Sequence, residues 1–172
     1  MLADVALMEE MIREALAYLR DGRSAEQHRN IDLPAILRTI CGQAQDMGHR
    51  VEYSGPSRLT YHGQPGALHR AIGNVVDNAT KHGDAVLVTL SQSDVGSAIL
   101  VSDDGPGIPA ELRSRVFEPF FKVNSARTAQ GFGLGLSIAK DIVERHHGTI
   151  ELHDNAPRGL CVRISLPAAS SD

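Results

Sequence analysis

Hydrophobic positions recur at helical spacing in four stretches of this chain and alternate like strands in several others. Near the start, Val5, Met8, Ile12, Ala15 and Leu19 are spaced three, four, three and four, the seam of a helix that packs against another helix. Residues 21–30, DGRSAEQHRN, are polar and carry Gly22, so they end that helix and read as a linker. Asp32 then stands as a cap, with Pro34 inside the first turn of a second helix that runs to about Met47. VEYSG and RLTYHG predict a hairpin. From Gly66 to His82, Leu68, Ile72, Val75, Val76 and Ala79 fall on one helical face, and Asn74, Asn78 and Lys81 line up on another.

AVLVTLSQ from Ala85 and AILVSDD from Ala98 are short, β-branched and alternating, which predicts two strands, the second ending at Asp103. Residues 109–117 read as a short helix, and 118–130 have no period. Helical spacing returns over 133–147 through Leu136, Ile138, Ala139, Ile142 and Val143, and TIELHDN with LCVRISLP closes as a last hairpin. The order predicts an α+β fold: a two-layer α/β sandwich, its mixed sheet carrying helices on one face, preceded by one helix.

Composition narrows the function. A chain of 172 residues with 42% hydrophobic content suits one compact domain plus a small appendage, with no room for a second full domain. A net charge of -4 without a dense Lys/Arg run argues against nucleic acid as a partner. Cys41 and Cys161 lie far apart without CxxC spacing, so neither a disulfide framework nor a thiolate metal site is indicated, and a reducing cytoplasm is the natural setting. No basic-then-apolar leader opens the chain and no apolar run approaches the about 20 residues of a bilayer span, so the chain is expected to be soluble.

Three segments carry candidate chemistry. In DDGPGIP, Asp103 sits where a strand ends, and a carboxylate accepts hydrogen bonds only; it suits the adenine amino group and repels a guanine carbonyl. Gly105 and Gly107 let the backbone approach a flat base, although an Asp-Gly turn beside a proline would use the same residues. In GFGLGLSIAK, Gly131, Gly133 and Gly135 precede a helix, whose free amides and dipole suit a polyphosphate; a loosened loop before a packing helix is the plainer account. Leu136 in the third glycine's place excludes the dinucleotide fingerprint, and GxxxxGK[ST] is absent. In NVVDNATKH, the Asn78 amide oxygen suits Mg²⁺ and Lys81 suits phosphate charge, or the three polar groups form a solvated helix face.

In that order the segments resemble the ATP-binding catalytic domain of bacterial sensor histidine kinases, within the superfamily of gyrase, Hsp90 and MutL ATPases. NVVDNATKH resembles the asparagine box, DDGPGIP the first glycine box, VFEPFFKV the phenylalanine box and GFGLGLS the second glycine box. The resemblance covers roughly 31–167 and implies ATP and Mg²⁺ as cofactors. It implies Asn78 as the metal ligand, Asn74 and Lys81 as phosphate or metal-shell contacts, and Asp103 as the adenine reader. His82, Gly105, Gly107, Ile108, Lys122, Gly131, Phe132, Gly133, Leu134, Gly135 and Leu136 complete the nucleotide-binding set, with Arg127 and Gln130 as catalytic contacts to the γ-phosphate. Residues 118–130 then correspond to the ATP lid. HHGT at 146–149 departs from the family's usual HGG, without consequence for the chemistry.

Residues 1–22 resemble the second helix of the kinase dimerisation hairpin, followed by a linker at 23–30, the catalytic domain at 31–167 and a tail at 168–172. That implies a homodimer through the hairpin helix in the full-length protein and a response regulator receiver domain as partner. It also implies the cytoplasmic portion of an inner-membrane sensor, with no membrane contact by this part. None of the eight histidines has the acceptor context HELRTP: His153 lies at a strand edge, while His82, His146 and His147 end helices, where a cation suits the dipole. The chain is therefore expected to bind ATP without phosphorylating itself. Related ATPases place a Glu four residues before the metal-binding Asn, where this chain has Asn74, which favours phosphoryl transfer over hydrolysis. An ATP hydrolase and a non-catalytic nucleotide-sensing module are the alternatives.

Overall fold

The computed structural model describes residues 26–123 and 132–168. The expected hairpin helix at 1–22 lies outside the described residues. Three helices, α1 (Leu33–Asp46), α2 (Pro65–His82) and α3 (Gly135–Arg145), pack on one face of a five-stranded sheet. The strands are β1 (Arg29–Asp32), β2 (Arg50–Ser54), β3 (Thr60–Gly63), β4 (Ala85–Ser93), β5 (Gly96–Asp103), β6 (Thr149–Asp154) and β7 (Leu160–Pro167). Sheet order is β2-β4-β5-β7-β6, with β2 parallel to β4 and every other pair antiparallel, so the sheet is mixed as expected.

Alternation explains the layering. Val86, Val88 and Leu90 of β4, Ile99 and Val101 of β5, and Val162, Ile164 and Leu166 of β7 are buried together with the apolar faces of the helices. On the other face Leu87, Arg163 and Glu151 are exposed, and Thr89 and Leu100 are half-buried. In α2 the stripe Leu68, Ile72, Val75, Val76 and Ala79 is buried as its spacing requires, at the centre of the helical layer.

Four local expectations are corrected. VEYSG and RLTYHG do not form a hairpin: β2 joins β4 at the sheet edge, while β3 pairs antiparallel with β1 in a separate two-stranded sheet. The link between them is held elsewhere, with the Tyr53 hydroxyl donating to the Pro56 carbonyl at 2.9 Å. β1 also takes up Arg29 and Asn30, which read as linker. Asp32 precedes α1 but its side chain does not cap it; Oδ1 accepts the Leu59 N–H at 3.2 Å, tying β1 to the start of β3. Residues 109–117 form two 3₁₀ turns, Ala110–Leu112 and Arg115–Phe117, in place of one helix.

Candidate nucleotide-binding site

Asp103 closes β5. The alternation that turns Ile99 and Val101 inward carries its carboxylate inward as well, leaving the residue 3% exposed. Oδ1 accepts the Gly105 N–H at 2.8 Å and the Leu160 N–H at 3.3 Å. Oδ2 has no hydrogen-bond partner among the described residues. A buried carboxylate oxygen without a donor is costly, so this atom favours a ligand that brings an N–H.

α2 joins the two glycine-rich segments. At its end, exposed His82 turns its carbonyl toward Gly105. Eight residues earlier, about 12 Å along the axis, Asn74 Nδ2 donates to the Gly135 carbonyl at 3.2 Å. Between these points Lys81 pairs with Asp77 at 2.6 Å, and half-buried Asn78 keeps its amide free of hydrogen bonds among the described residues. A free amide oxygen there fits a hard cation, and a lysine one turn along fits phosphate charge.

The second glycine segment is shaped by the phenylalanine segment. Gly133 has φ 74°; its carbonyl accepts the Phe120 N–H at 3.0 Å, and a Cβ on it would stand 2.6 Å from the Phe121 carbonyl oxygen. Glycine is required there for close backbone approach as well as for any anion beyond it. Leu134 and Leu136 send their side chains into the core, so what they present toward a ligand is backbone N–H at the first turn of α3. Phe132 and Ile108 are half-buried against the same core, Gly107 follows Asp103 at φ 73°, and Lys122 is exposed. Arg127, Gln130 and Gly131 lie outside the described residues.

Several residues that shape this region escape a sequence reading. Asp104 Oδ1 accepts the Asp84 and Ala85 amides at 2.7 and 3.0 Å, fastening the first glycine turn to the start of β4. Those bonds, the Ala85 amide foremost, hold its carboxyl below the ordinary carboxylate range. A short acidic side chain before a glycine was the available signal. Asn155 and Arg158 reach the Asp103 turn from the β6–β7 link, and nothing in local sequence marks them. His146 is also corrected: it is buried rather than a helix-end cation. Its Nδ1–H donates to the Ile142 carbonyl at 2.8 Å and its Nε2 accepts the Gln64 N–H at 3.1 Å. Burial pushes its pKa down, so the imidazole is neutral. A separate cavity of about 350 Å³, lined by Ser91, Ser97, His147 and Arg163, opens at the opposite end of the sheet from Asp103. Asn74, Asn78, Lys81, Asp103 and the described residues of the two glycine-rich segments do not border it.

The family model described as histidine kinase-, DNA gyrase B-, and HSP90-like ATPase matches residues 63–170. This chain belongs to that family. As a member of it, the chain is 35% identical over 164 residues to the sensor histidine kinase GtrS of Pseudomonas aeruginosa, covering 95% of this chain and 34% of GtrS. Among solved structures, the mycobacterial sensor histidine kinase MprB superposes with a TM-score of 0.71 at 33% identity, over 81% of this chain and 97% of that one. The ATP binding domain of PrrB from Mycobacterium tuberculosis gives 0.71 at 26% identity, over 84% and 99%. The chain spans about a third of the length of the curated relatives it matches. It has the fold of these solved histidine kinase domains and is similar to sensor histidine kinases over nearly its whole length.

Proposed function

We propose that this domain holds ATP with Mg²⁺ between α2, the Asp103 turn and the first turn of α3, and presents the γ-phosphate to a histidine on a hairpin helix, for relay to a response regulator receiver domain. In the full-length protein that hairpin, to which residues 1–22 contribute, makes the homodimer. Asp103 Oδ2 accepts the exocyclic N–H of adenine. Asn78 supplies an oxygen ligand to the metal, while Lys81 and the α3 amides meet the phosphates, and Arg127 and Gln130 contact the γ-phosphate. Mg²⁺ contributes neutralisation of the charge that develops on the phosphate oxygens. Transfer is favoured over hydrolysis because the position four residues before Asn78 carries Asn74, an amide with no basic atom, whose N–H₂ is engaged by the Gly135 carbonyl.

The observation that carries the reading is the buried Asp103 carboxylate, satisfied on one oxygen and open on the other. Calorimetric titration with ATP, GTP and ADP, with and without Mg²⁺, tests it. The parent chain is expected to prefer ATP, and Asp103→Ala to lose at least about tenfold in ATP affinity together with the preference. An Asp103→Ala protein that still discriminates adenine from guanine sinks the assignment. γ-Labelled ATP with a histidine-bearing hairpin helix supplied in trans is expected to give acid-labile label on that helix. Steady phosphate release without an acceptor would favour hydrolysis instead.

A further inference from the structure

The β5–β7 ladder ends at Ser102 and Cys161, one residue short of Asp103. Beyond that point the main chain of the Asp103 turn needs other partners, and the β6–β7 link supplies them. Asn155 Nδ2 donates to the Asp103 carbonyl at 2.8 Å. Arg158 Nε donates to two successive carbonyls, Asp104 at 2.9 Å and Gly105 at 3.1 Å. The Leu160 N–H takes the Asp103 carboxylate itself. The link can come this close only because position 159 is glycine: a Cβ there would lie 1.8 Å from the Asp103 carbonyl oxygen. Its own shape is closed by the Asn155 N–H on the Gly159 carbonyl at 3.1 Å. Farther along, Arg113 donates to the Ile108 carbonyl at 3.0 Å and pairs with Asp154 at the end of β6.

We propose that Asn155 and Arg158 are positioning residues for base selectivity, clamping the turn so that Asp103 offers one fixed oxygen to the purine. The proposal rests on Asp103 being the adenine reader. Selectivity by a buried acceptor depends on its not swinging to meet the wrong base, and a tolerance of about 0.5 Å separates a held group from a loose one. Nothing in the asparagine or glycine segments provides that hold on the β7 side. It comes from a hairpin link more than fifty residues away in sequence, of which Asn155 is half-buried and Arg158 exposed.

Competition binding of ATP and GTP to the parent chain, Asn155→Asp, Arg158→Ala, Arg158→Lys and Asp103→Asn tests the clamp. Asn155→Asp keeps the shape and removes the donor; Arg158→Lys keeps a donor for both carbonyls. Asn155→Asp and Arg158→Ala are each expected to weaken ATP about tenfold and to cut the ATP-over-GTP ratio by a similar factor. Arg158→Lys is expected to restore the ratio to within about threefold of the parent. A merely structural role would weaken both nucleotides equally and leave the ratio unchanged, which overturns the proposal. If Asn155→Asp does not fold, Arg158→Ala decides, since its side chain lies at the surface. Asp103→Asn separates the two failures. A ratio that survives there removes the adenine-reader assignment and this proposal with it; a ratio lost there but intact at 155 and 158 removes the clamp alone.

Discussion

At the scale of single residues, the same amino acid does opposite things at different points of this fold. Gly159 has φ 119°, and a Cβ on it would lie 1.8 Å from the Asp103 carbonyl oxygen, whereas a Cβ on Gly42, inside α1, would meet nothing within 4 Å beyond its own helix backbone. Gly159→Ala is therefore expected to destabilise by about 2–3 kcal/mol, because both the left-handed backbone and a rigid neighbouring carbonyl resist it. Gly42→Ala is expected to stabilise by about 0.5–1 kcal/mol, since a helical alanine loses less backbone entropy and meets no obstacle. Urea unfolding of the two variants checks the pair; equal shifts would show that the close approach at Gly159 relaxes freely. Asp103 follows the same logic of place. Its identity was legible in DDGPGIP, and its burial follows from register with Ile99 and Val101, but the two N–H groups on Oδ1 come partly from Leu160, which no local pattern connects to it.

At the scale of elements, α2 shows how far a helix start depends on distant chain. Pro65 has no N–H, Gln64 donates to His146 Nε2 at 3.1 Å, and the Gly66 and Ala67 amides are taken by the Glu26 carboxylate at 2.9 and 3.0 Å. Glu26 thus does the work of a capping side chain from forty residues upstream, with its charge at the positive end of the helix dipole. Glu26→Ala is expected to cost about 1 kcal/mol in denaturant unfolding; an unchanged midpoint would mean water replaces the cap at no cost. The hydrophobic stripe of α2 was legible because helical periodicity is set locally. The pairing of β2 and β3 was not, because two short neighbouring strands read as a hairpin unless the turn between them says otherwise, and here each finds a better edge elsewhere. Asp32 misled for a related reason: a carboxylate before a proline-led helix reads as a cap, but the Leu59 amide competes for it and wins. Glycines before α3 read as an anion cradle, yet Gly133 first serves the backbone of Phe120 and Phe121.

At the scale of the whole molecule, α2 runs between the two glycine segments at one end and is anchored to the chain's entry at the other, where His146, His28 and Glu26 meet. His28 stacks on His62 with centroids 5.9 Å apart and stands 5.4 Å from His146. With Nδ1–H given to Ile142 and Nε2 accepting from Gln64, His146 fits only as the neutral ring. Burial lowers its pKa from 6.5, the nearby His28 and Arg145 charges push the same way, and the Ile142 carbonyl and Glu26 oppose them. Well above pH 6.5 the ring is neutral whether folded or unfolded, and the full stability is present. As pH falls below that value the unfolded chain takes up a proton that the folded chain refuses, so stability declines until pH reaches the lowered folded pKa. Unfolding midpoints measured from pH 7.5 to 5.5 are expected to fall more steeply for the parent than for His146→Gln, which retains an acceptor for the Gln64 amide without titrating. Asp104, whose carboxyl is held below the ordinary carboxylate range by the Ala85 and Asp84 amides, enters only at lower pH and leaves this window to His146. Parallel curves for the two proteins would show that the His146 site accommodates the charged ring, and that the junction between the entering chain and α2 does not sense protons through it.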